Sequence, residues 1–163
     1  MTALTVGPFD DFGVLGAGTA FPERVVTNLE VLEGLPAEAW GTRARVPEAD
    51  AIAFAASALE QTLGVSERTW AGPKETTLDL AKAAAASALR DAGVAPAAVQ
   101  LLVVASSTPH RWTSTLSAPL GAHLGLTCPC MDVRTGCAAG LFALASAGLF
   151  HKGGAGCVLL VGT

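Results

Sequence analysis

The chain has 163 residues, of which 51% are hydrophobic and 15% are charged, and its formal net charge is −4. This is the length of one domain, and the absence of a basic cluster excludes the electrostatic footprint of a nucleic-acid-binding protein. The longest charge-free apolar run, residues 137–150, is shorter than the ~18 residues that a membrane span needs, and the N-terminus lacks the pattern of a signal peptide. We therefore expect a cytoplasmic protein without a membrane segment, much of whose apolar surface is covered by an interface.

The first 75 residues contain few clear elements. The stretch "FGVLGAG", residues 12–18, reads as a short buried strand, and its G-x-G lacks the third glycine and the immediate helix of a dinucleotide site. Asn28 is predicted to cap a short helix that ends near Gly34. A second helix is predicted from about Glu48 to Gly64, and the polar stretch "SERTWAGPKE" after it reads as a loop.

A regular alternation of helices and strands begins at Thr76. Thr76 and Asp79 resemble a capping box, and strong helix formers follow as far as Gly93. Residues 99–106 form a continuous apolar run, which is typical of a strand buried on both faces. Next come a helix with Pro119 in its first turn or at a kink, a strand over "CPCMDVR", a helix from "GCAAG" and a strand over "GCVLLVGT". This order predicts an α/β fold with helices layered on a largely parallel sheet, with the last strand at its centre.

Cys137 is the candidate nucleophile. If it begins a helix, the unpartnered N–H groups and the helix dipole favour the reactive thiolate. Gly136 allows a sharp turn into the helix, and the small residues 138–140 leave room for an acyl group. The same Gly-Cys-Ala-Ala-Gly step is also a good way to pack a helix tightly on a sheet, so both interpretations stay open at this point.

A nucleophilic cysteine normally needs a base nearby, and the chain has three histidines. His151 lies about 20 Å from Cys137 if one helix joins them at 1.5 Å per residue. His110 lies in the loop after a strand, from which it could face a pocket, whereas His123 reads as an ordinary helix histidine.

The other cysteines are expected to be small buried hydrophobic residues with reduced thiols; they are Cys128, Cys130 and Cys157. The spacing in "CPC" does not match the C-x2-C half-site that binds metals, so no metal site is predicted.

Four segments make the chain recognisable. They are "GVLGAGTAFPERVVTNLEVLEG", "TTLDLAKAAAASALRDAGV", "VQLLVVASSTPHRWTSTLSAPLGAHLGL" and "MDVRTGCAAGLFALASAGLF" with "GAGCVLLVGT". In these segments the chain resembles the N-terminal half of the thiolase-fold condensing enzymes, closest to β-ketoacyl-acyl carrier protein synthase III. The resemblance implies that residues 1–163 form a thiolase-like half-domain, a layered α/β/α structure with a mostly parallel central sheet, and that the C-terminal half is absent from this chain.

The resemblance also implies a mechanism. Cys137 takes the position of the acyl-accepting nucleophile, and its backbone N–H contributes to an oxyanion hole. The acyl group would come from a coenzyme A or acyl carrier protein thioester and pass to a carbon nucleophile made by decarboxylating a malonyl thioester. The His and Asn (or second His) of the family would come from the C-terminal half or a companion chain. No cofactor is expected. The protein is expected to form a homodimer or a higher assembly.

Two positions qualify this inference. Synthase III enzymes carry a Trp and an Arg in a stretch that grips coenzyme A. Thr62 stands where that Arg is expected, and Trp40 and Arg43 lie away from the expected positions, so a carrier-protein donor is at least as strongly expected as coenzyme A. Trp112 matches a bulky residue that, in relatives, crosses the dimer interface and closes the partner's acyl pocket, which implies a short or unusual acyl group. The alternative is that Trp112 packs on its own subunit.

Two other functions remain compatible with the sequence. One is an acyltransferase that moves the acyl group to an alcohol or amine without decarboxylation. The other is a non-catalytic partner subunit that shapes a pocket for an active homologue.

Overall fold

The computed structural model describes residues 13–36, 48–109, 111 and 113–163. The described residues form two compact units, one comprising residues 13–20 and 75–163 and the other residues 21–74.

The smaller unit is a two-stranded antiparallel sheet with two helices. Its elements are β1 (Arg24–Thr27), α1 (Asn28–Glu33), α2 (Glu48–Leu63) and β2 (Glu67–Trp70). The predicted helices are confirmed, but the predicted loop is wrong, because its first part pairs with β1 as strand β2. Its Thr and Trp suit a pleated surface, and the pairing partner lies about forty residues away in sequence.

Thr27, rather than Asn28, caps α1. The Thr27 hydroxyl accepts a hydrogen bond from the Glu30 N–H, and the Glu30 carboxylate accepts one from the Thr27 N–H. The buried Asn28 side chain instead donates to the Val65 carbonyl at 2.7 Å and accepts from the Arg68 guanidinium. The prediction of Asn28 as the cap was therefore wrong by one residue, because Asn28 ties the start of α1 to the turn before β2.

The larger unit is a three-layer α/β/α structure around a parallel sheet. Its elements are α3 (Thr77–Ala92), β3 (Leu101–Ala105), α4 (Ser117–Leu124), β4 (Cys130–Val133), α5 (Ala139–Lys152) and β5 (Val158–Gly162). The strand order is β4-β3-β5 and both pairings are parallel. The predicted α/β fold is confirmed, but β5 lies at an edge of the described sheet rather than at its centre.

The two faces of β3 belong to two different cores, as alternating side chains require. Leu102 and Val104 pack with residues of α3 and α4. Leu101 and Val103 lie on the other face, in the core that also contains Ala139 and Ala143. The capping box of Thr76 and Asp79 begins α3 as predicted, and Gly93 ends it with a left-handed φ of 63°.

Residues 13–20 do not form the predicted strand; they pair with none of the strands that the structure describes. They lie against α3 instead, where the Ala17 N–H donates to the Asp91 carboxylate at 2.9 Å. Two glycines allow this close approach. A Cβ at Gly16 would lie 2.5 Å from the Ala92 nitrogen, and one at Gly18 would lie 2.3 Å from the Ala88 nitrogen.

We expect Gly18→Ala to lower the free energy of unfolding by about 1–3 kcal/mol, because the new methyl group overlaps the α3 backbone. Chemical denaturation measures the change. Gly13→Ala is the matched control, since a Cβ there meets nothing within 4 Å. Equal losses in the two variants would contradict the packing of Gly18 on α3.

Candidate active site

Cys137 lies in a tight turn between β4 and α5. The turn is a single 3-10 element, Gly136–Ala138, and α5 begins at Ala139. The prediction that Cys137 begins the α-helix is corrected to this extent: the cysteine lies just before the helix, on a 3-10 turn of the kind common at helix ends. Its side chain is exposed.

Gly136 makes the turn possible. Its φ is +61°, the left-handed region that side chains with a Cβ rarely adopt. The chain thereby reverses within three residues of the end of β4. Cys137 is thus presented at the carboxyl end of the sheet, the usual place for chemistry in α/β folds.

The 3-10 turn that leads into α5 has backbone donors to offer, although the Ala139 N–H already donates to the Gly136 carbonyl. Within the part of the chain that the structure describes, no side chain caps either the 3-10 turn or α5. The first N–H groups of a helix have no partners inside the helix and carry its positive dipole end. An oxyanion that forms beside Cys137 would therefore meet hydrogen-bond donors without displacing a side chain.

Asp132, near the end of β4, fastens the neighbouring helix. Its carboxylate accepts hydrogen bonds from the Leu116 N–H at 2.7 Å and the Ser117 N–H at 2.9 Å. These amides begin α4, whose N-cap residue, Leu116, offers no side-chain acceptor of its own. A carboxylate from one strand therefore caps a helix that belongs to the next layer.

Arg134 extends this fastening. Its guanidinium donates to the Asp132 carboxylate at 3.1 Å and to the Ser114 carbonyl at 2.7 Å. Burial raises the pKa of the Asp132 carboxyl, but the hydrogen bonds, led by that from the Leu116 amide and including that from Arg134, outweigh it and hold the pKa below its usual value. The segment before α4 is thus tied to a residue only three positions before Cys137.

We expect Asp132→Asn to destabilise the chain by about 2 kcal/mol at pH 7, since the new NH2 group cannot accept from the α4 amides. The folded pKa of Asp132 is lowered, so its contribution to stability is present above the unfolded pKa of about 4 and is lost as pH falls through the folded value. The difference in the free energy of unfolding between wild type and variant, measured by denaturation, should therefore shrink as the pH falls from about 4 through the folded pKa. Asp50→Asn, at an exposed position on α2, is the control, and a pH-independent difference would contradict this role of Asp132.

The structure does not bring a described histidine to Cys137. His151 is at the opposite end of α5, where its Nδ1 lies 2.9 Å from the Ala155 carbonyl oxygen, and His123 is exposed near the end of α4. Thr62 is exposed on α2 in the smaller unit. The remaining residues named from the sequence lie outside the described residues and stay predictions: Trp40, Arg43, His110 and Trp112.

The other cysteines are less buried than predicted. Cys130 is exposed, while Cys128 and Cys157 are half-buried, and all are free thiols. Burial raises the pKa of the Cys128 thiol. Over residues 13–36, 48–109, 111 and 113–163, no group of three or more His, Cys, Asp or Glu residues could hold a metal ion.

The large apolar side chains of α5 are open to solvent, over more than one side of the helix. The helix buries Ala139, Ala143 and Ala147 and exposes its larger side chains, Leu141, Phe142, Leu144, Leu149 and Phe150. We call this surface the outer face of α5. Among the described helices, none is both long and apolar enough to cross a membrane.

Sequence comparison finds relatives of known kinds, although no family model matches the chain. The chain is 35% identical over 149 residues to an acetoacetyl CoA synthase of Streptomyces sp. (strain CL190). This alignment covers 88% of this chain and 39% of that protein. It is 33% identical over 153 residues to a β-ketoacyl-[acyl-carrier-protein] synthase III of Agrobacterium fabrum, with 91% of this chain and 42% of that protein covered.

The fold comparison agrees with the sequence comparison. The crystal structure of 3-oxoacyl-[acyl-carrier-protein] synthase III from Aquifex aeolicus superposes with a TM-score of 0.68 at 26% identity. The superposition covers 91% of this chain and 43% of that one. The chain therefore spans about two fifths of the length of the relatives it matches.

Proposed function

We propose that the chain, which is similar in sequence and fold to the N-terminal half of the thiolase-fold condensing enzymes of the β-ketoacyl-acyl carrier protein synthase III type, is the acyl-accepting half of a ketosynthase. Cys137 is its nucleophile. The observation that carries the proposal is the turn that presents an exposed Cys137 between the left-handed Gly136 and the uncapped start of α5.

The first chemical step is transfer of an acyl group between sulfur atoms. The Cys137 thiolate attacks the thioester carbonyl, a new C–S bond forms, and the old C–S bond breaks to release the donor as a thiolate, which takes up a proton to become the thiol. The tetrahedral oxyanion is stabilised by backbone N–H groups of the 3-10 turn, including that of Cys137. Asp132 and Arg134 act indirectly, because they hold the end of β4 from which the turn begins.

The second step needs groups that the described residues do not bring to Cys137. Loss of CO2 from a malonyl thioester generates a carbon nucleophile, which attacks the acyl-enzyme, forms a C–C bond and releases the Cys137 thiolate. We propose that a His and an Asn or second His from the C-terminal half, in the same polypeptide or a companion chain, stabilise the developing enolate. The assembled enzyme would be a homodimer or a higher assembly.

The donor is proposed to be a thioester of acyl carrier protein or of coenzyme A. The names of the relatives include both compounds. For this chain, Thr62 stands at the position where the resemblance leads us to expect a coenzyme A-binding arginine. This departure favours a carrier-bound donor at least as strongly as coenzyme A.

Acylation in the absence of the second substrate tests this function. The purified chain is incubated with an acyl-acyl carrier protein and with the coenzyme A thioester of the same acyl group, and intact mass and peptide mapping follow the product. We expect one added acyl group, on the peptide that contains Cys137. An unmodified Cys137 with both donors, in a protein whose assembled form still turns over, would overturn the proposal and favour a non-catalytic partner subunit.

A further inference from the structure

The turn that carries Cys137 is held mainly by its two ends. Among the described residues, no side chain caps the turn at Thr135 or the start of α5 at Ala138. Inside the turn, the Ala139 N–H donates to the Gly136 carbonyl. At the α5 end, Ala139 is buried in the core. The position of the Cys137 sulfur therefore depends on how the other end, where β4 finishes, is held.

Arg134 lies between the end of β4 and the turn. The preceding residue, Val133, is buried and pairs with Ala105 of β3. The Arg134 guanidinium donates to the Asp132 carboxylate at 3.1 Å and to the Ser114 carbonyl at 2.7 Å. Because this side chain is bonded to two separate elements, the backbone from which the turn begins is restrained on both sides.

The two ends of the β3–α4 loop, residues 106–116, meet at the same place. At the first end, the N–H of the buried Ser106 donates to the Val133 carbonyl at 3.2 Å. At the second end, the Ser114 carbonyl accepts from Arg134. Loops whose ends lie close together are compact and are frequently functional. Residues 133 and 134 therefore form a common base for this loop and for the turn of Cys137.

We propose that Arg134 is a positioning residue for acyl transfer to Cys137. It acts through the Ser114 carbonyl and the end of β4, and it keeps the β3–α4 loop and the nucleophile turn in one relative position. The inference rests on the proposed function, because the sulfur and the N–H donors of the turn must be aligned on one thioester carbonyl. Such groups have to be held within about 0.5 Å of the productive geometry.

The role of Arg134 differs from that of Asp132. The Asp132 side chain is 8% exposed, and its carboxylate accepts from two amides that begin α4. The Arg134 side chain is 33% exposed, and its second contact is to the loop. An ion pair with one exposed partner contributes at most about 1 kcal/mol to stability. We therefore expect loss of Asp132 to affect mainly folding and loss of the Arg134 guanidinium to affect mainly acyl transfer.

Arg134→Met tests this role, because methionine keeps much of the apolar stem and removes the guanidinium. Peptide mapping follows two rates at Cys137, acylation by an acyl thioester and alkylation by iodoacetamide. We expect acylation to slow about 10-fold, since it needs the aligned donors. Alkylation should stay within about twofold of wild type, since it needs only an accessible thiolate.

Arg90→Met is the matched control. Arg90 is also exposed and lies in the last turn of α3, which leads to the start of β3 and so to the other edge of the sheet. The ratio of the acylation rate to the alkylation rate should be the same in this variant as in wild type.

Arg134→Ala with added guanidinium ion provides a second test. The free ion, well below the concentration that unfolds the chain, can take the place of the missing group and donate to the same two oxygen atoms. We expect it to raise the acylation rate of this variant at least about threefold, whereas sodium ion at the same concentration should not. Guanidinium weakens the folded state, so it would not repair a damaged fold.

The outcomes separate this inference from the proposed function. An unchanged ratio in Arg134→Met, or an equal fall in Arg90→Met, overturns the inference and leaves the proposed function standing if wild-type Cys137 is acylated. If Arg134→Met does not fold, the Arg134→Ala variant decides, and no recovery with guanidinium overturns the inference. Wild-type Cys137 that accepts no acyl group would refute the proposed function, and the inference would fall with it.

Discussion

Replacement of Cys137 by alanine is expected to abolish acyl transfer to the chain. The substitution removes the atom that forms the new bond to the acyl carbon, and loss of a nucleophile typically costs at least about 1,000-fold in rate. The measurement is the rate of acyl-enzyme formation from an acyl thioester, followed by intact mass spectrometry. Because the side chain is exposed and Ala138 and Ala139 follow it, the fold should tolerate the change with little loss of stability.

Cys130 provides the matched control for this experiment. It is also an exposed free thiol and lies in β4, seven positions before Cys137. Cys130→Ala should leave acylation by the thioester within about twofold of wild type. Persistent acylation of Cys137→Ala, or its loss in Cys130→Ala, would move the nucleophile away from the β4–α5 turn.

Gly136→Ala is expected to slow acylation by about 10- to 100-fold while Cys137 is still present. An L-residue in the left-handed region costs about 1–2 kcal/mol, so the turn should shift to relieve the strain. A displacement near 1 Å at a reacting group can cost about 100-fold in rate. Alkylation by iodoacetamide, a small reagent that needs no oxyanion hole, should change much less. The ratio of acylation to alkylation rates therefore measures positioning rather than folding.

Gly140→Ala is the control for Gly136→Ala. Gly140 lies in the first turn of α5, its φ is not positive, and a Cβ there meets nothing within 4 Å. Alanine should raise helix stability by up to about 1 kcal/mol and leave acylation unchanged. If both variants lose acylation equally, the effect belongs to crowding near Cys137 and not to the left-handed turn.

Features with a local cause were predictable from the sequence. The capping box that begins α3 and the glycine that ends it are short-range signals, and both are confirmed. The error at Asn28 also had a local signal, because Thr27 is followed at the third position by Glu30 in the pattern of a capping box. Two adjacent residues could each cap a helix, and the position of the glutamate distinguishes them.

Features with a distant cause were not predictable in the same way. Strand β2 exists because β1 pairs with it, and the edge position of β5 depends on which strands are present to pair. Asp132 was missed because its partners are the amides of α4, about fifteen residues earlier. The sequence offered only an indirect signal. Leu116, the N-cap residue of α4, has no side-chain acceptor of its own.

The outer face of α5 has a consequence for how the chain behaves in solution. Leu141 and Leu149 are 74% and 72% exposed on a helix whose buried residues are alanines and a glycine, the reverse of an ordinary amphipathic helix. A partner that binds this face of the folded chain and not the unfolded chain would raise the apparent stability by mass action. We therefore expect the melting temperature of this chain to depend on the concentration of any such partner.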